Sequence, residues 1–159
     1  FVIASFHEPV FTPTSLKEHT NTVINTFAGG DCQILGHPGN PNYPLDYEEV
    51  IRAAKDHNVV LEINNSSFTH SRQGSEPICI KIMELIDKLD WKVVFSSDAH
   101  IAYHLGDYST SIKHATSIGF PIERIVNRDA NSFLNFLGQH NKSVVDELAS
   151  WSAQFASSN

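Results

Sequence analysis

Short apolar runs alternate along this chain with stretches whose apolar residues recur at helical spacing. Five runs predict strands: Val2–Phe6, Gln33–Gly36, Val59–Ile63, Val93–Ser96 and Arg124–Val126. They are rich in Val, Ile and Leu and do not alternate cleanly with polar residues, the pattern of strands covered on both faces. Between them, Thr14 or Ser15 caps a helix carrying Leu16, Val23 and Phe27 that ends at Gly29-Gly30. Asp46 and Glu49 form a capping box ahead of Val50, Ile51, Ala53 and Ala54. Further helices are expected over Pro77–Lys88, burying Ile78, Ile82, Leu85 and Ile86, and over Tyr108–Ser117, which Gly119 and Pro121 stop. Another begins at the Asp129 cap with Phe133, Leu134 and Leu137 inward, and a last one covers Ser143–Phe155 with Val144, Leu148, Trp151 and Phe155 on one stripe. The tail from Ala156 to Asn159 is expected to fray. Repeated strand–helix alternation predicts an α/β fold with a parallel sheet or barrel. With no linker and no repeat, residues 1–159 read as a single domain. Because the chain opens on Phe1 inside a strand pattern, it is expected to be the C-terminal part of a longer protein.

Composition narrows the function classes. With 159 residues, 41% hydrophobic, the chain can bury a core and is not a disordered or collagenous sequence. Eleven Lys and Arg against eighteen Asp and Glu, a net charge of −7, disfavour nucleic acid as a partner. No apolar run of about 18 residues is present to span a bilayer. Cys32 and Cys79 lack CxxC spacing and read as reduced buried thiols in a cytoplasmic protein. The absence of GxGxxG and GxxxxGK[ST] removes dinucleotide and P-loop readings.

Histidine is over-represented, with nine copies, and its placement carries the chemistry. His7 follows the first strand, His37 the second, Glu62, Asn64 and Asn65 end the third, and Asp98 and His100 follow the fourth. In parallel α/β folds these C-terminal strand ends share one rim, where active sites are built. Imidazole and carboxylate together suit Zn, Mn or Fe. In an extended Asp98-Ala99-His100 segment the two ligating side chains share a face. His37-Pro38-Gly39 predicts a tight turn with room beside the histidine for a ligand. Glu62 suits either a partner for a ligand histidine or a salt bridge to Arg72 or Lys92. Asn64, Ser67 and Arg72 offer donors matched to phosphate oxygens. His70 and His104 fall in loops on the same rim as substrate contacts, whereas His19, His57, His114 and His140 read as surface helix residues. A lone strand-end histidine is ordinarily a loop residue; the succession of four such ends is what points to a site.

Four motifs, in order, carry a resemblance: Phe6-His7-Glu8-Pro9-Val10, Gly36-His37-Pro38-Gly39-Asn40-Pro41, Leu61-Glu62-Ile63-Asn64-Asn65-Ser66-Ser67-Phe68 and Ser96-Ser97-Asp98-Ala99-His100. His70-Ser71-Arg72, Gly74-Ser75-Glu76, Ile122-Glu123-Arg124-Ile125 and Asn135-Phe136-Leu137 add to it. The chain resembles the later motifs of the PHP (polymerase and histidinol phosphatase) superfamily, and within it the YcdX-type probable phosphatases. The resemblance implies the C-terminal part of a distorted (β/α)7 barrel with parallel strands and outer helices, and a trinuclear metal centre usually described with zinc. His7, His37, Asp98 and His100 would be metal ligands; Glu62 carries no ligand role over. The family's opening His-x-His motif and its further His and Glu ligands have no counterpart between Phe1 and Asn159, so only part of the metal centre, partly occupied, is expected here.

The expected function, assigned to the full-length parent, is a metal-dependent phosphatase that hydrolyses a small phosphorylated molecule with a metal-activated water; activity of residues 1–159 alone stays open. Arg72, Asn64 and Ser67 would steady the phosphate, and no catalytic residue is assigned. The rivals are a metal-dependent amidohydrolase-type hydrolase, an inert fragment keeping part of a metal site, and, less favoured by the acidic balance, a nuclease. Homo-oligomer formation stays open.

Overall fold

In the computed structural model of the chain, residues 1–140 and 144–155 are described. Four parallel strands form one sheet in the order β1-β2-β3-β4, with β1 at Ile3–Ala4, β2 at Ile34–Leu35, β3 at Val60–Asn64 and β4 at Val93–Ser96. Helices make the crossovers: α1 (Leu16–Ala28), α2 (Tyr47–Asp56), then the short α3 (Ser66–Thr69) with α4 (Ser75–Lys88). After β4 come α5 (Ser109–Ser117), α6 (Ala130–Gly138) and α7 (Val144–Ser152). The caps form as the side chains dictate: Ser15 accepts from the Glu18 amide, Asp46 from Glu49 and Asp129 from Ser132.

Strand alternation divides the sheet into two faces. Leu35, Leu61, Ile63, Val93 and Phe95 pack on one face against Val23 and Phe27 of α1, Val50, Ile51 and Ala54 of α2, Ile82, Met83 and Ile86 of α4 and Ala115 of α5. Ile34, Val60 and Val94 point to the other, covered by Val126 and by Phe136 and Leu137 of α6. Glu62 alternates with Val60, so the same face turns polar toward the C-terminal strand ends.

Several expectations need correction. The fifth strand is reduced to a single bridge, Val93 with Ile125, preceded by a turn of 3-10 helix at Ile122–Arg124. Beyond it, Asn127 takes the place of a strand, donating to the Phe95 carbonyl at 2.7 Å and accepting from the Phe95 amide at 3.0 Å. The first strand is not covered on both faces: among the described residues it pairs only with β2, and Phe1, Val2 and Ile3 are 61%, 49% and 48% exposed. His19 is not a surface residue but fully buried; its Nε2 accepts from the Thr14 amide and its Nδ1 donates to the Pro44 carbonyl. His114 is half-buried and stacks on Phe68, and His140 is half-buried with its ring edge toward Phe136. Leu148 and Trp151 are exposed rather than inward. The expected helix start at Ser143, the side chains of Val144 and Phe155, and the 156–159 tail lie outside the described residues. Among the described residues no helix is long and apolar enough to cross a membrane.

Candidate functional site

The C-terminal ends of the strands lead into loops whose backbone is unusual. Among the described residues five non-glycine positions have positive φ, and three are His37 (33°), Arg72 (53°) and Asp98 (51°). Left-handed backbone at such residues costs about 1–3 kcal/mol each and gathers where surrounding structure fixes a functional group.

His37 is anchored first. Its amide donates to Glu62 Oε2 at 2.5 Å. Glu62 is buried and also accepts from Ser96 Oγ (2.6 Å, through Oε1) and Asn64 Nδ2 (3.3 Å), so one carboxyl ties together the ends of β2, β3 and β4. Among the described residues Glu62 makes no salt bridge to Arg72 or Lys92, and its bond to His37 is to the main chain rather than to the ring. The turn after His37 is held by Tyr47, whose hydroxyl donates to the Pro38 carbonyl at 3.1 Å. Gly39 does not leave space for a ligand, as its Cβ would lie 2.6 Å from Cys79 Sγ. The glycine is needed because a buried thiol packs there.

His7 arrives from β1 on a loop fixed by an aromatic cluster. Phe6 stacks on Tyr43 at 4.8 Å, and the Tyr43 hydroxyl donates to the Phe11 carbonyl. The rings of His7 and His37 meet nearly perpendicular (84°) with Nε2 atoms 3.3 Å apart. Burial lowers the His37 pKa, and the Arg72 cation lowers it further, against a smaller opposing pull from Glu62. Its imidazole is therefore neutral at neutral pH, the form that binds metals. Two nitrogens about 2.0–2.1 Å from one tetrahedral zinc lie about 3.3–3.4 Å apart, a spacing this pair matches; in the structure the contact is a hydrogen bond between the rings, and His7 Nε2 also lies 3.1 Å from Ser5 Oγ. Glu8 is turned aside to accept from Asn42 Nδ2 at 2.8 Å.

Asp98 and His100 are not gathered with them. Asp98 Oδ2 lies 3.4 Å from both terminal guanidinium nitrogens of Arg72, Nη1 and Nη2. The left-handed φ at Asp98 breaks the expected extended alternation, and His100 folds back with Nδ1 at 2.8 Å from the Asp98 carbonyl. Among the described residues no three His, Cys, Asp or Glu side chains lie close enough to hold a metal ion. Arg72 stands between two clefts. One contains His7, His37 and Arg72; the other contains Asp98 and His100. Arg72 also donates to Ser71 Oγ (2.8 Å) and Ser67 Oγ (3.3 Å). Asn64 and Ser67 are buried, and the Asn64 carboxamide accepts from the Ser67 amide. Both shape the loop that carries Arg72. Sequence reasoning missed the Glu62 bond to a main-chain N–H, which has no local sequence signal.

The chain matches curated proteins called probable phosphatases. One from Shewanella piezotolerans is 45% identical over 148 residues, covering 93% of this chain and 60% of that protein. Another from Photobacterium profundum is 44% identical over 149 residues, 94% of this chain and 61% of that protein. A third, from Pectobacterium atrosepticum, is 45% identical over 148 residues, again 93% and 60%. The chain thus spans about three-fifths of the length of these relatives. No known protein-family profile matches it. At this identity over most of its length, the chain is a homologue of proteins named probable phosphatases.

Proposed function

We propose that this chain carries part of the active site of a metal-dependent phosphatase acting on a small phosphorylated molecule. The approach of His7 and His37, with Nε2 atoms 3.3 Å apart, carries the reading. The name shared by the relatives supports it. His7 and His37 would hold one cation, zinc in the first instance and Mn or Fe as substitutes; Asp98 and His100 would join a metal cluster completed by ligands outside Phe1–Asn159. Such cations neutralise phosphoryl oxygens and activate water for hydrolysis. The consecutive parallel strand order suits the C-terminal part of a PHP-type barrel forming one domain. Two buried free thiols, Cys32 and Cys79, suit a reducing cytoplasm.

The chain's own residues supply placement. Glu62 fixes the His37 main chain and so the ring position. Arg72, aimed by Ser71 and by Ser67 from the loop that Asn64 braces, presents a planar cation beside the histidine pair. When a phosphate arrives it exchanges the 3.4 Å contacts to Asp98 for paired bonds to phosphoryl oxygens. The test is phosphate release from glycerol phosphate, measured on the full-length protein. Release should stop with a chelator, return with zinc, and fall at least a hundredfold in His37→Ala; release indifferent to both chelator and variant contradicts the proposal.

A further inference from the structure

On the far side of the Arg72–Asp98 pair lies a cleft of about 270 Å³. This is below the roughly 300–1,000 Å³ of pockets that take drug-sized ligands, so its occupant is small. Its walls come from the α3 segment and from the loop that follows β4. Ser66, Thr69 and Ser97 line it; the Ser66 hydroxyl pairs with Ser71 Oγ at 3.1 Å and the Thr69 hydroxyl donates to the Asn65 carbonyl at 3.4 Å. Across from them, His70 and His104 stack at 5.4 Å with a 16° interplanar angle. Asp107 completes the wall, with Oδ1 accepting from the Ser109 amide (3.0 Å) and hydroxyl (2.7 Å). Those donors, helped by His104 and His70, hold its carboxyl below the usual range and so ionised. Its Oδ2 has no hydrogen-bond partner among the described residues.

This lining selects by chemistry. Among the described residues the cleft lining includes no Lys or Arg, so no side-chain cation there pairs with a second phosphate or carboxylate. Among the described residues Ile101 is the one large apolar side chain of the lining, so the cleft is predominantly polar. The two imidazoles already touch, so no aromatic base inserts between them. What remains is an abundance of groups that accept or donate to hydroxyls: three alcohols, the imidazoles of His70, His100 and His104, the Asn65 carboxamide, and the carboxylates of Asp98 and Asp107, the latter with an open oxygen. The cleft also shares Asp98 with the Arg72 contact, so a molecule filling it reaches the phosphate position.

We propose that this cleft binds the alcohol part of a small polyhydroxylated phosphomonoester of the sugar-phosphate class, with His70, His104 and Asp107 as its specificity-determining residues. The assignment rests on the phosphatase reading for where the phosphate sits, and it adds the substrate class. No metal is asked of His70 or His104; they recognise hydroxyls.

The test is binding by NMR to the zinc-supplemented protein, using stable phosphonates so that turnover does not interfere. A hexose 6-phosphonate should shift the His70 and His104 ring signals saturably, whereas benzylphosphonate and inorganic phosphate should not. His104→Ala and Asp107→Asn should each weaken the hexose phosphonate about tenfold and leave inorganic phosphate affinity unchanged. Far-ultraviolet circular dichroism confirms that each variant is folded, and His70→Ala serves where one is not. Benzylphosphonate binding as tightly as the sugar analogue, unchanged affinity in the folded variants, or no saturable shift of either ring overturns the assignment. The phosphatase reading fails separately, by absence of phosphate release from any ester, and that outcome leaves the binding result to stand or fall by itself.

Discussion

His37 is held from three directions. Its amide is bound by Glu62, its turn is pinned by Tyr47 on Pro38 and by Cys79 against Gly39, and its ring meets His7. Burial, followed by the Arg72 charge, lowers its pKa from the ordinary 6.5. In the metal-free protein the ring should therefore titrate below 6.5, as read from its Cε1 proton by NMR. A consequence for stability follows by linkage. Between the folded and unfolded pKa values the unfolded chain binds more protons at this position, so the His37 contribution is complete above about pH 7 and declines as pH falls through 6.5. Denaturant midpoints at pH 7.5 and 5.5 should show that loss in the native protein and a smaller one in His37→Gln. A midpoint at or above 6.5, with no difference between the two proteins, contradicts this account of the ring.

At the scale of elements, the rim is assembled by contacts between strand ends. Glu62 bonds the start of the His37 turn and Ser96 at the end of β4, while Asn65 accepts from the Ser111 amide (2.9 Å) and hydroxyl (3.0 Å) and fixes α5 to the same rim. Glu62→Leu keeps much of the volume but removes both acceptor oxygens, leaving the His37 amide, the Ser96 hydroxyl and the Asn64 carboxamide without this partner. We expect a loss of about 1–3 kcal/mol in unfolding free energy, measured by urea denaturation, together with zinc binding about tenfold weaker. A variant as stable as the native chain and with native zinc affinity would show that Glu62 does not position the loop. Much of this layer was legible in sequence. Capping at Ser15, Asp46 and Asp129 and the stripes of α2 and α4 follow from local periodicity. His19 was misread because its ring is polar, although it lies on the i, i+4 stripe with Val23 and Phe27; two main-chain partners, Thr14 and Pro44, make its burial affordable. Nothing local announces the Asn127 bridge to Phe95 or the Glu62 bonds, since their partners lie 25 to 34 positions away.

For the molecule as a whole, parallel order was readable from strand–helix alternation, and so was a rim bearing His7, His37, Asp98 and His100. Which of these residues meet was not readable, because positive φ at His37, Arg72 and Asp98 redirects side chains that an extended reading would align. The result is a rim split by Arg72, with an imidazole pair on one side and a hydroxyl-lined cleft on the other. The central claim is that His7 and His37 share one cation. Zinc K-edge X-ray absorption of the zinc-supplemented protein tests it most directly. The spectrum should contain imidazole scattering from nitrogen at about 2.0–2.1 Å, and that scattering should fall by two imidazoles in the His7→Ala, His37→Ala double variant. A zinc environment identical in the native protein and the double variant would contradict the account.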